Sequence, residues 1–313
     1  MTMLTTPPPP GHPVRRPGAG DAAQIHELIA TCDTQVLGRP DMTLRDVADE
    51  LAEPGFDLGR DGWLLHGPDG RLAGWGWAYG RTPGDGEAVS VDIEVITRPG
   101  APAAVAGWLW DAVTGRAAEI AAGYGRAEAV LGIGIYREDT AKRALAAARG
   151  LTHATSFHRL RADHVGPPRD PGELPGVTVH RGTTDEVRRE GHLVHEGGFT
   201  EHFGFTPRTF EEWHAEREAS AGTDWSQLLV ARVHGEPAAM LLGTDHFRGR
   251  GLGRLLLRHA FAGDARRGRE GTYLHVDTGN TTPALDLYLS EGMRQVLVID
   301  AWRGTTAVGA GQA

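Results

Sequence analysis

The chain has 313 residues, enough for two domains of about 150 residues each, and carries 32 Lys and Arg against 41 Asp and Glu for a net charge of −9. No global positive field would gather DNA, RNA or an anionic membrane, and no apolar run reaches the length of a membrane span. Cys32 is the only cysteine, which excludes an internal disulfide framework and a cysteine-based zinc site and points to a reducing compartment.

Residues 1–13 hold four consecutive prolines and no apolar core like that of a signal peptide, so they read as a disordered leader, and cytoplasmic location follows. Val14 to Pro17 reads as a short strand, after which Asp21 is expected to cap a helix with Ile25, Leu28 and Ile29 on one face. A second helix spans Leu44 to Leu51. A hairpin then runs from Trp63 to Tyr79 about the turn Gly67-Pro68-Asp69-Gly70. Val89 to Ile96 alternates Val and Ile with Ser90, Asp92 and Glu94, the pattern of a strand with one wet face. Ala103 to Ala122 is helical, Ala129 to Ile135 a strand, Ala141 to Arg149 a helix stopped at Gly150, and Thr152 to Leu160 one or two strands.

Residues 163–176 contain Gly166-Pro167-Pro168, Pro171-Gly172 and Pro175-Gly176, the composition of a linker. Beyond it the same order of elements begins again. Val177 to Arg181 is a strand, helices follow from Thr183 and over Phe210 to Ala219, and a hairpin runs from Leu228 to Leu242. The segment Arg248-Gly249-Arg250-Gly251-Leu252-Gly253 then opens into the helix of Arg254, Leu255 and Leu256. The strand Thr272 to Asp277, a helix from Pro283 to Glu291 stopped by Gly292, and a last strand Gln295 to Trp302 complete the order. Domains at 14–162 and 177–304, with a flexible tail at 305–313, are the expected division.

A glycine loop feeding a helix is a way to hold phosphates. Gly249, Gly251 and Gly253 free the backbone to turn successive amides toward one anion at the positive end of the helix, with Arg248, Arg250 and Arg254 around it. The spacing lacks the Gly-Lys-Ser/Thr ending of a nucleoside triphosphate loop and is not the Gly-x-Gly-x-x-Gly of a dinucleotide site. It resembles the Arg/Gln-x-x-Gly-x-Gly/Ala pyrophosphate loop of the GNAT superfamily of N-acetyltransferases. The stretch Asn280 to Met293 is similar to that superfamily's Asn-x(3)-Ala-x(3)-Tyr-x(3)-Gly-Met/Phe segment.

That resemblance implies an α/β (α+β) chain of two tandem GNAT domains, each a mixed, mostly antiparallel central sheet flanked by helices. It implies acetyl-CoA as co-substrate, no metal, and residues Arg248 to Arg254 with Asn280 as its contacts. Tyr288 would be the acid that protonates the departing thiolate, and Asn280 has a second reading as a turn residue. The segment Glu201 to Thr209, with Trp213, is similar to the loop over the acceptor site in mycothiol synthase-like tandem acetyltransferases. Phe203, Arg208 and Trp213 would touch substrate there, or pack as a structural loop. Glu196, Glu201, His202 and His214 are candidates for the general base.

The first half lacks these parts: aligning Gly150-Leu151 with Gly292-Met293 puts Ala146 opposite Tyr288 and Glu138 opposite Asn280, and Pro99 and Pro102 remove amides from the loop before the long helix. Catalysis is therefore expected in the second half. One feature runs against it. Only Thr244 to Phe247 separate the hairpin from the glycine loop, where the family's fourth strand belongs. Either the protein lacks that strand or a segment is missing from the sequence, and the bare sheet edges left behind favour a missing segment. The expected activity is transfer of an acetyl group to a primary amine of a small molecule by a monomer or homodimer, without nucleic-acid or membrane partners. A resistance-type enzyme acting on an amine antibiotic is the main rival. A non-catalytic acyl-CoA sensor and a protein or peptide acetyltransferase are the alternatives.

Overall fold

The computed structural model describes residues 7–80, 88–199, 207–219, 223–241, 252–277 and 284–309. They form two compact units, Met1–Ala154 with Asp300–Ala313, and Thr155–Ile299.

The first unit contains β1 (Val14–Arg15), α1 (Ala22–Leu37), α2 (Leu44–Leu51), the single turn α3 (Leu58–Asp61), β2 (Gly62–His66), β3 (Leu72–Gly80), β4 (Val89–Thr97), α4 (Ala103–Gly123), β5 (Glu128–Tyr136) and α5 (Thr140–Ala148). The alternation along β4 is realised, with Val89, Val91, Ile93 and Val95 buried and the residues between them half-buried. Helices cover both faces of the sheet. Val105, Leu109 and Val113 of α4 pack in one core, while Ile25, Leu28, Val47 and Leu51 of α1 and α2 meet Leu64, Leu72 and Trp75 in another. Gly74 explains how closely α4 settles on β3: a Cβ there would lie 2.7 Å from Leu109 Cδ1.

β4 is the pivot of this unit. It pairs antiparallel with β3 as far as Thr97 but parallel with β5 only from Val89 to Asp92, so β4 and β5 part beyond Asp92 and Gly132. Glu94 lies past that point, paired with Lys142 of α5. Asp21 does not cap α1 with its side chain; it accepts from Gly18 N at 2.7 Å and from Arg15, closing a 3-10 turn just before the helix.

The second unit holds β7 (Val177–Arg181), α6 (Asp185–Phe199), α7 (Phe210–Ala219), β8 (Leu229–Val233), β9 (Glu236–Leu241), α8 (Leu252–Arg266), β10 (Gly271–Asp277) and α9 (Ala284–Ser290). β7, β8 and β9 form one antiparallel sheet. β6 (Thr152–Asp163), one strand rather than two, enters this unit at Thr155 and pairs antiparallel with β10, Phe157 opposite Asp277 through Asp163 opposite Gly271.

β11 (Arg294–Ala307) makes the converse move. From Asp300 onward it belongs to the first unit, next to β5 in the order β1-β2-β3-β4-β5-β11. Asp300, 1 % exposed, accepts from Arg137 at 2.7 Å, and Val308 N donates to Ala127 O at 2.7 Å. The units therefore differ from the continuous spans 14–162 and 177–304, because the larger part of the last strand of each half belongs to the other unit. Residues 305–307, expected in a flexible tail, are part of β11.

Candidate active site in the second unit

Of the residues expected at the site, Phe203, Arg248, Gly249, Arg250, Gly251 and Asn280, with the candidate bases Glu201 and His202, lie outside the described residues. So does the junction from Gly243 to Phe247. Its length still speaks: ten residues separate β9 from α8, against 22 separating β3 from α4, nine of which form β4.

α8 starts at Leu252, the end of the glycine loop. The Leu252 side chain is buried with Leu229, Ala231, Ala239 and Leu256, which leaves its backbone, with that of Gly253, as the part that can face an anion. The first-turn amides of a helix have no carbonyl within it to bond. Arg254 points elsewhere: its Nε lies 3.1 Å from Glu291 Oε1, while Arg258 holds both oxygens of the same carboxylate at 2.7 and 3.0 Å. Glu291 immediately follows α9, so this cluster ties the helix of the glycine loop to the helix that carries Tyr288.

Tyr288 is 6 % exposed and packs with Leu160, Leu257, Leu274, Val276 and Met293. Its place is fixed by the end of α9. Gly292 takes φ +88°, and Met293 N donates back to Tyr288 O at 3.1 Å. This is a Schellman cap, and α5 ends identically: Gly150 has φ +82° and Leu151 N donates to Ala146 O at 3.1 Å. Tyr288 and Ala146 therefore occupy equivalent positions, as the sequence alignment requires. The long helices share a cap as well, with Gly125 and Gly268 at positive φ and bonds of 3.0 Å from Arg126 N to Ala121 O and from Arg269 N to Asp264 O. Counting back from these caps without a gap, Leu252 matches Leu109, and the positions equivalent to the glycine loop lie inside α4, where the helix itself consumes most of the amides.

Arg208, Trp213, Glu196 and His214 come together where α6 meets α7. Glu196 receives Arg208 N at 3.1 Å and His195 Nδ1 at 3.3 Å, and His192 Nε2 contacts Arg208 O at 2.8 Å. The Arg208 guanidinium is paired with Glu216. His214 stacks on Trp225 with centroids 5.0 Å apart, and Trp225 Nε1 donates to Glu218. Trp213 is wholly buried among Val187, Trp225, Leu228, Val230 and Met240, a core position and not the exposed face of an overhanging loop.

Two residues of this cluster were not singled out from sequence. His195 is buried, which pushes its pKa down against the opposing pull of Glu196. Arg217, one turn after Trp213, lies with Cζ 4.8 Å from the Trp213 ring centroid. Burial, and secondarily the charge of Arg208, lowers its pKa to about 10, and no carboxylate among the described residues pairs with it. Removing a cation from water without a partner costs several kcal/mol, and stacking on an aromatic face offsets about 0.5–2 kcal/mol. Only the i, i+4 spacing from Trp213 hints at this in the sequence.

The comparisons with solved structures decide the fold. A GCN5-related N-acetyltransferase from Sphaerobacter thermophilus is 23 % identical at a TM-score of 0.78, over 98 % of this chain and 100 % of that one. The fold is that of the GNAT superfamily. A tandem GNAT protein from the clavulanic acid biosynthesis pathway matches at 16 % identity and a TM-score of 0.63, over 95 % of this chain and 99 % of that one. The N-myristoyltransferase of Saccharomyces cerevisiae, solved with bound myristoyl-CoA, matches at 10 % identity and 0.58, over 96 % of this chain and 81 % of that one. No family model and no curated protein matches the sequence. Among the described residues, no helix of the chain is long and apolar enough to cross a membrane.

Proposed function

We propose that the protein is a cytoplasmic N-acetyltransferase that moves an acetyl group from acetyl-CoA to a primary amine of a small molecule, with catalysis in the second unit. The observation that carries this reading is the position of Tyr288. It sits on a helix whose cap matches that of α5 bond for bond, and the Glu291–Arg254–Arg258 cluster ties that helix to the glycine-loop helix.

Backbone amides at Leu252 and Gly253, with the loop before them and Asn280 after β10, would hold the pyrophosphate and arm of the co-substrate. Tyr288 would protonate the coenzyme A thiolate as the tetrahedral intermediate collapses. Glu196, which accepts from His195 Nδ1, would relay the proton of the incoming ammonium. Thiol release from acetyl-CoA across a panel of small primary amines tests the reading: turnover above buffer with at least one amine supports it.

The ten-residue connection between β9 and α8 favours a second reading, a protein that binds acyl-CoA without transferring the acyl group. Saturable acetyl-CoA binding with no turnover across a broad amine panel would establish it, and turnover of any amine would end it.

A further inference from the structure

We infer that the Arg181–Arg267 pair of the second unit is a binding site for a phosphate group, separate from the glycine loop. The two arginines come from different elements, Arg181 from the end of β7 and Arg267 from just past α8, and they meet over one piece of bare backbone. A Cβ on Gly263 would lie 3.3 Å from Arg181 Nη2 and 3.4 Å from Arg267 Nη1. Their other ends hold one residue: Arg181 Nη1 donates to Ser226 O at 2.7 Å, and Arg267 Nη2 donates to Ser226 Oγ at 2.6 Å. Two guanidiniums of like charge are thus pinned between Gly263 and Ser226. Water reaches them, since the Arg267 side chain is 33 % exposed, Arg181 is half-buried and the neighbouring Arg266 is exposed.

The carboxylates nearby do not balance this charge. Asp264 accepts from Arg269 at 2.9 Å and from Thr272, while Asp224 accepts from Ser226 and Gln227. They stand 3.9 and 4.0 Å from Arg267, beyond hydrogen-bond distance, and no carboxylate among the described residues pairs with Arg181 or Arg266. Burial, and then the charges of Arg267 and Arg266, lower the pKa of Arg181. Burial, with Arg181 and Arg266, lowers that of His259 on α8 against the opposing pull of Asp170. The negative end of a helix attracts cations, which accounts for Arg266, Arg267 and Arg269 at the end of α8 but not for Arg181, delivered by a strand.

The charge selects a phosphate over a carboxylate. The guanidiniums of Arg181, Arg266, Arg267 and Arg269 surround only the carboxylates of Asp224 and Asp264, so the ligand has more than one positive charge to match. A phosphate monoester brings between one and two negative charges and three acceptor oxygens, and a guanidinium fork meets such oxygens in pairs. A carboxylate brings one charge and would leave a guanidinium unmatched. The 15 residues of α8 put its two ends about 22 Å apart, so a phosphate at the last turn is not the anion that the Leu252 and Gly253 amides can face.

The test uses the whole protein, with inorganic phosphate and acetate as probes at constant ionic strength, followed by calorimetric titration and by the imidazole resonances of His259, assigned with His259→Gln. Phosphate should bind saturably and raise the pKa of His259, because bound negative charge favours its protonated form, and acetate should bind at least about tenfold more weakly. Arg267→Met, at an exposed side chain, should weaken phosphate binding about tenfold or more. Arg181→Lys keeps the charge but loses the fork, and should weaken it as well. Arg189→Met removes an exposed charge from α6 and should leave binding within about twofold. Absence of phosphate binding, equal binding in Arg267→Met, an equal loss in Arg189→Met, an unmoved His259 or acetate binding as tight as phosphate would each overturn the site. Saturating coenzyme A should leave the phosphate titration unchanged. Displacement of phosphate by coenzyme A would make the pair part of the donor's site and overturn it as a separate one.

Discussion

The two units repeat one order of elements and diverge where chemistry would occur. The first keeps β4, joined to β3 on one side and β5 on the other, but starts its long helix early and carries Ala146, wholly buried, at the tyrosine position. The second keeps the glycine loop and Tyr288 but has too few residues between β9 and α8 to copy the 22 of the first, and its described strands form two groups, β7-β8-β9 and β6-β10. Each unit has retained what the other lost. Just past the point where β4 and β5 part in the first unit, the only lysine of the sequence pairs with the β4 glutamate, Glu94. A repeated fold thus separates the scaffold that a site needs from the groups that act in it.

The largest effect expected on this contrast is structural. Arg137→Met removes the 2.7 Å hydrogen bond to Asp300, a carboxylate that is 1 % exposed and has Arg143 and His153 farther off at 3.8 and 3.7 Å. It should cost about 2–3 kcal/mol in urea unfolding and act on the first unit. Next comes Tyr288→Phe, expected to lower kcat about 10- to 100-fold with thiol release as the readout. Glu94→Gln, on the β4 of the first unit, should leave kcat within about twofold. The reverse pattern would move catalysis to the first unit.

Gly150→Ala and Gly292→Ala make a matched pair, since both replace the left-handed residue of the same cap at φ +82° and +88°. Each should cost about 1 kcal/mol, and unequal losses would show that the two caps carry different loads.

The smallest effect is one of pH. Burial, and secondarily the charge of Glu94, raises the Glu50 carboxyl to about 7. The folded protein then holds this proton over a range in which the unfolded chain, near 4.5, has released it. Its contribution is complete below about pH 4.5 and is lost as pH rises toward 7. Glu50→Gln should flatten that decline in unfolding measured between these pH values.

Much of the architecture was readable in the sequence because it is local. Period-two alternation located β4, turn chemistry located both hairpins, and α2, α7 and β7 have the expected limits. The alignment of Tyr288 with Ala146 came from two glycines, and the glycine caps confirm it. The strand exchange was not readable, since β6 and β11 hold the same place in the repeat and either could complete either sheet. Only hydrogen bonds between residues far apart in sequence decide between them. Arg217 was hidden for another reason: it is one of 31 arginines, the 32 basic residues less Lys142, and its burial without a carboxylate among the described residues is a property of its surroundings. In the sequence Trp213 stands between a substrate contact and structural packing, because a tryptophan near a loop fits a binding site as readily as a core, and its burial places it in the core.

The exchange also sets an order for folding. β5 gains its neighbour only when Asp300 to Ala307 have been made, so a nascent chain that has finished every other element of the first unit still presents an open sheet edge. The pairing that closes it spans more than half the sequence, a high-contact-order step of the kind that folds slowly. Separate expression of the two halves would strand each with its partner's last strand. For the ribosome, and for any chaperone that meets the chain, the first unit is therefore finished only after the second has been made.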